Sequence, residues 1–224
     1  MGFGWGIGFN YTSLLWQRFD LKKKELWQLF LGSFLFGWIG AKVFFLIFSA
    51  PELALHYGSE VNFWLGGGFV FYGGLVFATI YSLLFVRLKM NSKFDVLGII
   101  TPGLALGHAI GRVGCFLAGC CYGDHCDLPI GVMVKGVPRH PVQLYEVVGL
   151  VILFFVLRKQ VLNKLPGRAL LTYPLGYGVL RFILELFRGD AIRGLYAGLS
   201  TSQWVSILMV LLSGILLVRK TSSR

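Results

Sequence analysis

"LWQLFLGSFLFGWIGAKVFFLIF", residues 26–48, runs for 23 positions with a single charged side chain, Lys42. An α-helix rising about 1.5 Å per residue needs roughly 20 apolar residues to cross a hydrocarbon core about 30 Å thick, so this stretch reads as a membrane span. Working outward from it, comparable apolar runs occupy about 2–17, 66–86, 95–117, 142–157, 169–187 and 203–218. The first is glycine-rich and short for a complete crossing. Nothing in the chain alternates apolar and polar residues as barrel strands do. The expectation is an all-α, polytopic integral membrane protein with about seven transmembrane helices, organised as one domain over residues 1–224.

Composition agrees. Hydrophobic residues make up 56% of the 224, aromatic residues 16% and charged residues only 14%, with a mean hydropathy of +0.72. A formal charge of +11 raises the question of nucleic acid. The basic residues, however, lie in short clusters between apolar runs and build no aromatic-interleaved groove, which excludes that partner class. Every second connection is basic: "RFDLKKKE", "RLKMNSK", "RKQVLNKLPGR" and the tail "RKTSSR" together hold 14 of the 21 Lys and Arg residues. By the positive-inside rule these connections are cytoplasmic. The N-terminus is then outside, the C-terminus inside, and the segments around the cysteines, "PRHPVQLYE" and "FRGDAIRG" lie at the outer face. The N-terminal segment lacks a basic n-region and a small-residue cleavage pattern, so it is read as a retained membrane segment.

Charged side chains in a bilayer cost about 2.5–3.5 kcal/mol each on insertion scales, so Lys42, Arg112, Glu146, Arg181 and Glu185 each require a reason. Arg181 and Glu185 are four apart and Arg188 is three further on, which places an Arg-Glu-Arg stripe on one helix face. Such a stripe either pairs internally or has cationic capacity left for a phosphate. Arg112 lies in "GHAIGRVGCF", where Gly107, Gly111 and Gly114 leave a nearly bare helix surface. That surface serves close helix packing, or it lets a lipid head group reach the arginine fork. "RHPVQLYE", 139–146, gathers Arg139, His140, Gln143, Tyr145 and Glu146 at the opening of the fifth run, as a polar helix cap or as part of a site. "GGGFVFYGGLVF", 66–77, reads as helix packing, or as a place where Tyr72 beside Gly73 and Gly74 offers its hydroxyl to a ligand. The cysteines are spaced C-x4-C-C-x4-C: Cys115, Cys120, Cys121 and Cys126. At an oxidising face they read first as disulfides and second as reactive thiols. The spacing lacks the paired C-x-x-C of a zinc site, so no metal is expected.

Together these motifs resemble the bacterial prolipoprotein diacylglyceryl transferases. The likeness runs in order through "GGGFVFYGG", "GHAIGRVGCF", "RHPVQLYE" and "GYGVLRFILELFR". The resemblance implies a multi-pass protein of the bacterial cytoplasmic (inner) membrane with its active site toward the outer face. It also implies transfer of the diacylglyceryl group of phosphatidylglycerol, or a similar phospholipid, to the cysteine thiol of a lipobox-bearing preprotein. Glycerol phosphate is released and no cofactor takes part. Carried over by position, Arg112, Arg181 and Arg188 would handle the lipid phosphate and Glu185 would fix the arginines. Arg139, His140, Gln143, Tyr145 and Glu146 would shape the same cavity. On this reading Arg112, Tyr72, His140, Arg181 and Glu146 are the catalytic candidates; Gly73, Gly74, Gly111 and Gly114 line the substrate path.

This chain departs from the family pattern at three places. The family's Phe-His-Gly-Gly reads "FYGG", replacing a histidine base with Tyr72, and a phenol, with an ordinary pKa of about 10, is a weak base at neutral pH. The asparagine after the Gly-Arg-x-Gly motif is Cys115, and an Asn-Gly-Glu run becomes "AGCCYG", which removes a carboxylate at Cys120. The periplasmic insertion is short. Two other readings therefore stay open: a related lipid-modifying enzyme with a different acceptor, and a membrane thiol oxidoreductase that works through Cys115, Cys120, Cys121 and Cys126.

Overall fold

A computed structural model describes residues 2–48, 61–65, 68–90, 94–188 and 195–222. The helices are α1 (Gly2–Gln17), α2 (Lys23–Phe48), the short α3 (Val61–Leu65), α4 (Phe71–Leu84), α5 (Thr101–Leu117), α6 (Val142–Leu162), α7 (Pro166–Glu185) and α8 (Thr201–Ser222). A π-turn, Phe85–Lys89, extends α4, and a 3-10 turn, Phe94–Ile99, leads into α5. Among the described residues, strand is confined to two hairpins, β1 (Val132–Val134) with β2 (Val137–Arg139) and β3 (Leu195–Tyr196) with β4 (Leu199–Ser200). The all-helical architecture is the one expected. Among the described residues, four helical stretches, Lys23–Phe48, Phe71–Lys89, Phe94–Leu117 and Thr201–Lys220, are long and apolar enough to cross a membrane by length and composition.

Burial is inverted relative to a water-soluble domain. Phe3, Phe34, Leu88, Phe155, Leu208 and Val218 are exposed, whereas Lys42, Gln143, Glu146 and Glu185 are buried. A hydrocarbon solvent favours this arrangement, because apolar side chains lose nothing by facing lipid and charges must find partners inside.

The chain forms two compact units. One contains α2, α3 and α4. Here Gly37 and Gly40 of α2 approach Gly73 and Gly74 of α4 so closely that a Cβ on Gly73 would lie 2.4 Å from the Gly40 carbonyl oxygen. Gly73 and Gly74 therefore serve helix packing in this unit. The Tyr81 hydroxyl donates to the Gln28 carbonyl at 3.0 Å and Ser33 meets Ser82 at 2.9 Å. Lys42 has its answer here as well: its ammonium donates to the Phe63 carbonyl and sits over the Phe63 ring at 4.3 Å, with Phe45 and Phe69 close by. Cation–π contact and a carbonyl together replace water. Tyr72 also lies on α4, beside Phe71.

The other unit contains α1 and α5 to α8. Helix α5 packs on α1 through a second glycine seam, in which Gly4 and Gly8 oppose Gly107 and Gly103. Helices α6, α7 and α8 follow in antiparallel succession. At one end Asp95 pairs with Lys220 at 2.5 Å. At the opposite end lie the C-terminal half of α5, the start of α6, the C-terminal half of α7 and the start of α8. The β1–β2 hairpin turns through Lys135 and Gly136, both at positive φ (50° and 82°). Paired positive φ values are what a two-residue primed turn requires.

Candidate active site

Helix α5 aims His108 and Arg112 along one face, one turn apart. Helix α6 begins directly after Pro141, and its first turns place Gln143 and Glu146 inward, each about 1% exposed. Helix α7 supplies Tyr177, Arg181 and Glu185, again one turn apart. A helix repeats every 3.6 residues, so this spacing gives each helix a single polar stripe.

Glu146 is the hub of the first cluster. Its Oε2 lies 2.9 Å from Arg112 Nε, and its Oε1 accepts from the Tyr177 hydroxyl at 3.0 Å and stands 3.5 Å from His108 Nε2. The second cluster centres on Glu185: Oε2 meets Arg181 Nη2 at 2.7 Å, and Oε1 accepts from Ser200 Oγ at 3.0 Å. Ser200 is held by Gln203, whose side-chain oxygen accepts the Ser200 amide at 2.9 Å. Arg181 Nη2 also faces Ser202 Oγ at 3.4 Å. Its Nη1 is buried without a hydrogen-bond partner among the described residues. A buried donor left open next to a fixed guanidinium is suited to an incoming anion.

Two of the glycines have a different role from those in the seams. A Cβ at Gly111 or Gly114 would meet no atom within 4 Å. The α5 surface at Gly111 and Gly114 is thus bare among the described residues, while Gly103 and Gly107 on the same helix are covered by α1.

The remaining candidates form a separate shell. His140 Nδ1 shares a hydrogen bond with the Tyr145 hydroxyl at 3.2 Å, and both rings pack on Phe187 with centroids 5.3 and 5.9 Å away. Backbone bonds lace this shell together: Gly123 to His140, His140 to Asp124, and Asp124 to Phe187. Arg139 donates from Nη1 to the Gly123 carbonyl at 3.2 Å. His140 is therefore partnered by aromatic rings and a phenol, apart from the carboxylates of the two Arg–Glu clusters. Arg188 lies three residues past the end of α7, and its amide donates to the Glu185 carbonyl at 3.1 Å.

Sequence reasoning missed His108, Tyr177 and Ser200. A usable signal exists for the first two, since each precedes a site arginine by four residues. Ser200 has no such signal, because its place depends on the β3–β4 hairpin.

The cysteines lie where α5 ends. All four are free thiols in the structure, with Cys120 and Cys121 exposed and Cys126 buried. The Sγ atoms of Cys115, Cys120 and Cys121 lie within 4.8 Å of one another. The loop that carries them is fixed from below, because the buried Gln143 amide donates to the Cys120 carbonyl. The Cys120 thiol is pushed up to about 11 by its hydrogen bond with Cys121, by partial desolvation and by the neighbouring sulfurs.

Residues 1–219 match the family model described as "Prolipoprotein diacylglyceryl transferase". Among similar proteins, the phosphatidylglycerol--prolipoprotein diacylglyceryl transferase of Clostridium tetani is 35% identical over 184 residues, covering 79% of this chain and 73% of its own. The one from Idiomarina loihiensis is 34% identical over 224 residues, covering 96% and 82%. That of Finegoldia magna is 36% identical over 185 residues, covering 81% and 73%.

Proposed function

The chain belongs to the prolipoprotein diacylglyceryl transferase family, and on that premise we propose how its site performs the family's transfer. The protein is a membrane transferase that moves a diacylglyceryl group from phosphatidylglycerol to prolipoprotein. The acceptor atom is the thiol of a lipobox cysteine, and glycerol phosphate is released. The observation that carries the assignment of roles is the pair of Arg–Glu couples, Arg112–Glu146 and Arg181–Glu185, each built on a buried carboxylate at one end of one helical unit.

Chemically, the acceptor sulfur attacks the glyceryl carbon that bears the phosphoester oxygen. The C–O bond breaks and its electron pair leaves on the phosphate. Negative charge therefore grows on the leaving group, and guanidinium groups fixed beforehand lower the barrier without reorganising. Arg112 and Arg181 fill this role. Their carboxylate partners hold each guanidinium plane still, and the open Nη1 of Arg181 gives the phosphate a donor that no atom of the described residues takes. The bare surface at Gly111 and Gly114 admits the head group beside Arg112. Arg139, Gln143, Tyr145, His140 and Arg188 shape the surrounding wall and the loop above it.

The distribution of Lys and Arg supports a site open to the outer face of the bacterial inner membrane, where phosphatidylglycerol and an exported preprotein meet. The test is incubation of the purified protein, in lipid, with phosphatidylglycerol and a lipobox peptide. The expected result is a peptide mass gain of one diacylglyceryl group with stoichiometric glycerol phosphate. Folded protein that yields neither overturns the proposal.

A further inference from the structure

The transfer needs a thiolate, and this chain has Tyr72 where the resembled family has a histidine. The carboxylates at the site are occupied: Glu146 and Glu185 are each engaged by an arginine and a hydroxyl. These two carboxylates are therefore not free to take the thiol proton.

The cysteine cluster offers a route to the thiolate. Its three Sγ atoms all lie within 4.8 Å of one another, with Cys120 and Cys121 at 3.6 Å. Zinc–sulfur bonds of about 2.3 Å in tetrahedral array separate sulfurs by about 3.8 Å, so the trio needs only small side-chain movements to close on one ion. The loop is built for this convergence. Gly119 and Cys121 both adopt left-handed backbone, at φ 66° and 65°. For Cys121, which has a Cβ, that conformation costs roughly 1–2 kcal/mol, and it turns the second of two adjacent cysteines back toward α5. The Cys120 amide bonds to the Cys115 carbonyl at 3.1 Å, and buried Gln143 pins the Cys120 carbonyl. Spacing alone argued against a metal because it lacks C-x-x-C; the reversal at 119–121 gathers the sulfurs by another route.

We propose that Cys115, Cys120 and Cys121 bind a soft divalent cation of the zinc class, and that its open fourth position takes the acceptor cysteine thiol and presents it as a thiolate for diacylglyceryl transfer. Three protein ligands and one exchangeable position are the pattern of a reactive rather than a structural zinc site. The thiol proton passes to water when sulfur joins the metal. The metal-held sulfur then attacks the glyceryl carbon, the C–O pair departs with glycerol phosphate, and the neutral thioether leaves the ion. No oxidation state changes. The site is well placed for this: Cys115 follows Arg112 by three residues on α5, so the two side chains are neighbours on one helix surface, with Cβ atoms about 5–6 Å apart.

This inference rests on the function proposed above, and the experiment separates the two. The full chain in lipid nanodiscs, reduced with a phosphine, is titrated with Co(II) as a spectroscopic stand-in for zinc. One Co(II) per chain is expected, with sulfur-to-cobalt charge-transfer absorption that zinc abolishes. Cys115→Ser, Cys120→Ser and Cys121→Ser should each weaken binding at least tenfold, while Cys126→Ala retains it; helical circular dichroism checks that every variant is folded. A lipobox peptide should shift the cobalt d–d bands, and its Cys→Ser analogue should not. Absence of the charge-transfer band in folded, reduced protein overturns the inference, as does a spectrum that the peptide thiol leaves unchanged. If metal-stripped protein still transfers diacylglycerol at full rate, the inference fails and the transferase reading stands. If the spectrum responds to the peptide but phosphatidylglycerol yields no product, the thiol site stands and the lipid reading fails.

Discussion

Arg112 on α5 and Glu146 on α6 meet at 2.9 Å through the arginine Nε, and the carboxylate is about 1% exposed. This joins two helices across 33 residues of intervening chain by a contact that uses the inner edge of the guanidinium. An ion pair of this kind is weak evidence of net stabilisation, because desolvating both groups offsets their attraction. Its value lies in orientation: the carboxylate fixes the plane in which Arg112 can meet a phosphate.

Arg112→Lys should therefore lose at least a hundredfold in transfer rate despite keeping the charge. An ammonium has no Nε edge for Glu146 and no planar fork for two phosphate oxygens. Glu146→Ala should be worse for the fold, because it leaves the partly buried Arg112 guanidinium unpaired, at a cost of up to about 3 kcal/mol. Rate assays in lipid, read beside thermal unfolding of the same samples, separate the two effects. Full activity in the lysine variant would remove Arg112 from the site.

Ser200 makes a narrower prediction. Its hydroxyl donates to Glu185, which in turn holds Arg181 at 2.7 Å. Hydrogen bonds to charged groups are worth about 1.5–3 kcal/mol. Ser200→Ala should loosen the aim of Arg181, raising KM for phosphatidylglycerol about tenfold with a smaller change in kcat. Ser200→Thr, which keeps the hydroxyl, should restore most of the affinity. An equal loss in both variants would assign Ser200 a packing role only.

How much of this was legible beforehand differs residue by residue. The helical class follows from apolar run length, and Arg181 with Glu185 follows from their spacing of four; both are local properties of one helix. The Arg112–Glu146 contact joins two helices, so no spacing along the chain encodes it. The cysteine convergence depends on two left-handed residues at 119 and 121, one of them non-glycine, and side-chain type does not announce that backbone. Tyr177 and His108 were within reach, each one turn before an arginine. The glycines were legible as small but ambiguous in role, since packing and substrate access demand the same lack of a Cβ.

Two substitutions on α5 resolve that ambiguity. At Gly103 an added Cβ would lie 2.0 Å from Thr12 Oγ1 and 2.5 Å from the Gly8 carbonyl oxygen. Overpacking costs about 1–3 kcal/mol, and a clash with backbone outweighs the roughly 1 kcal/mol that alanine gains over glycine in a helix. Gly103→Ala should lower the unfolding temperature. At Gly114 the added methyl meets no atom of the described residues within 4 Å, so Gly114→Ala should unfold at the same temperature or higher while raising KM for phosphatidylglycerol. Lowered stability in both would make Gly114 a packing position.

The cysteine loop makes a prediction in pH. With its thiol at about 11, the metal-free protein holds about one Cys120 in a thousand as thiolate at pH 8, against roughly a quarter of an unperturbed cysteine. The thiolate is the form that alkylates. Maleimide labelling of Cys120, followed by peptide mass in the reduced, chelator-treated chain, should therefore be slow at pH 8 and climb close to tenfold per pH unit up to pH 10. An ordinary thiol levels off above pH 9. Because the hydrogen bond with Cys121 is the largest cause of the shift, Cys121→Ser should speed Cys120 labelling at pH 8. A Cys120 profile that already plateaus near pH 9 would mean that the two sulfurs do not face one another.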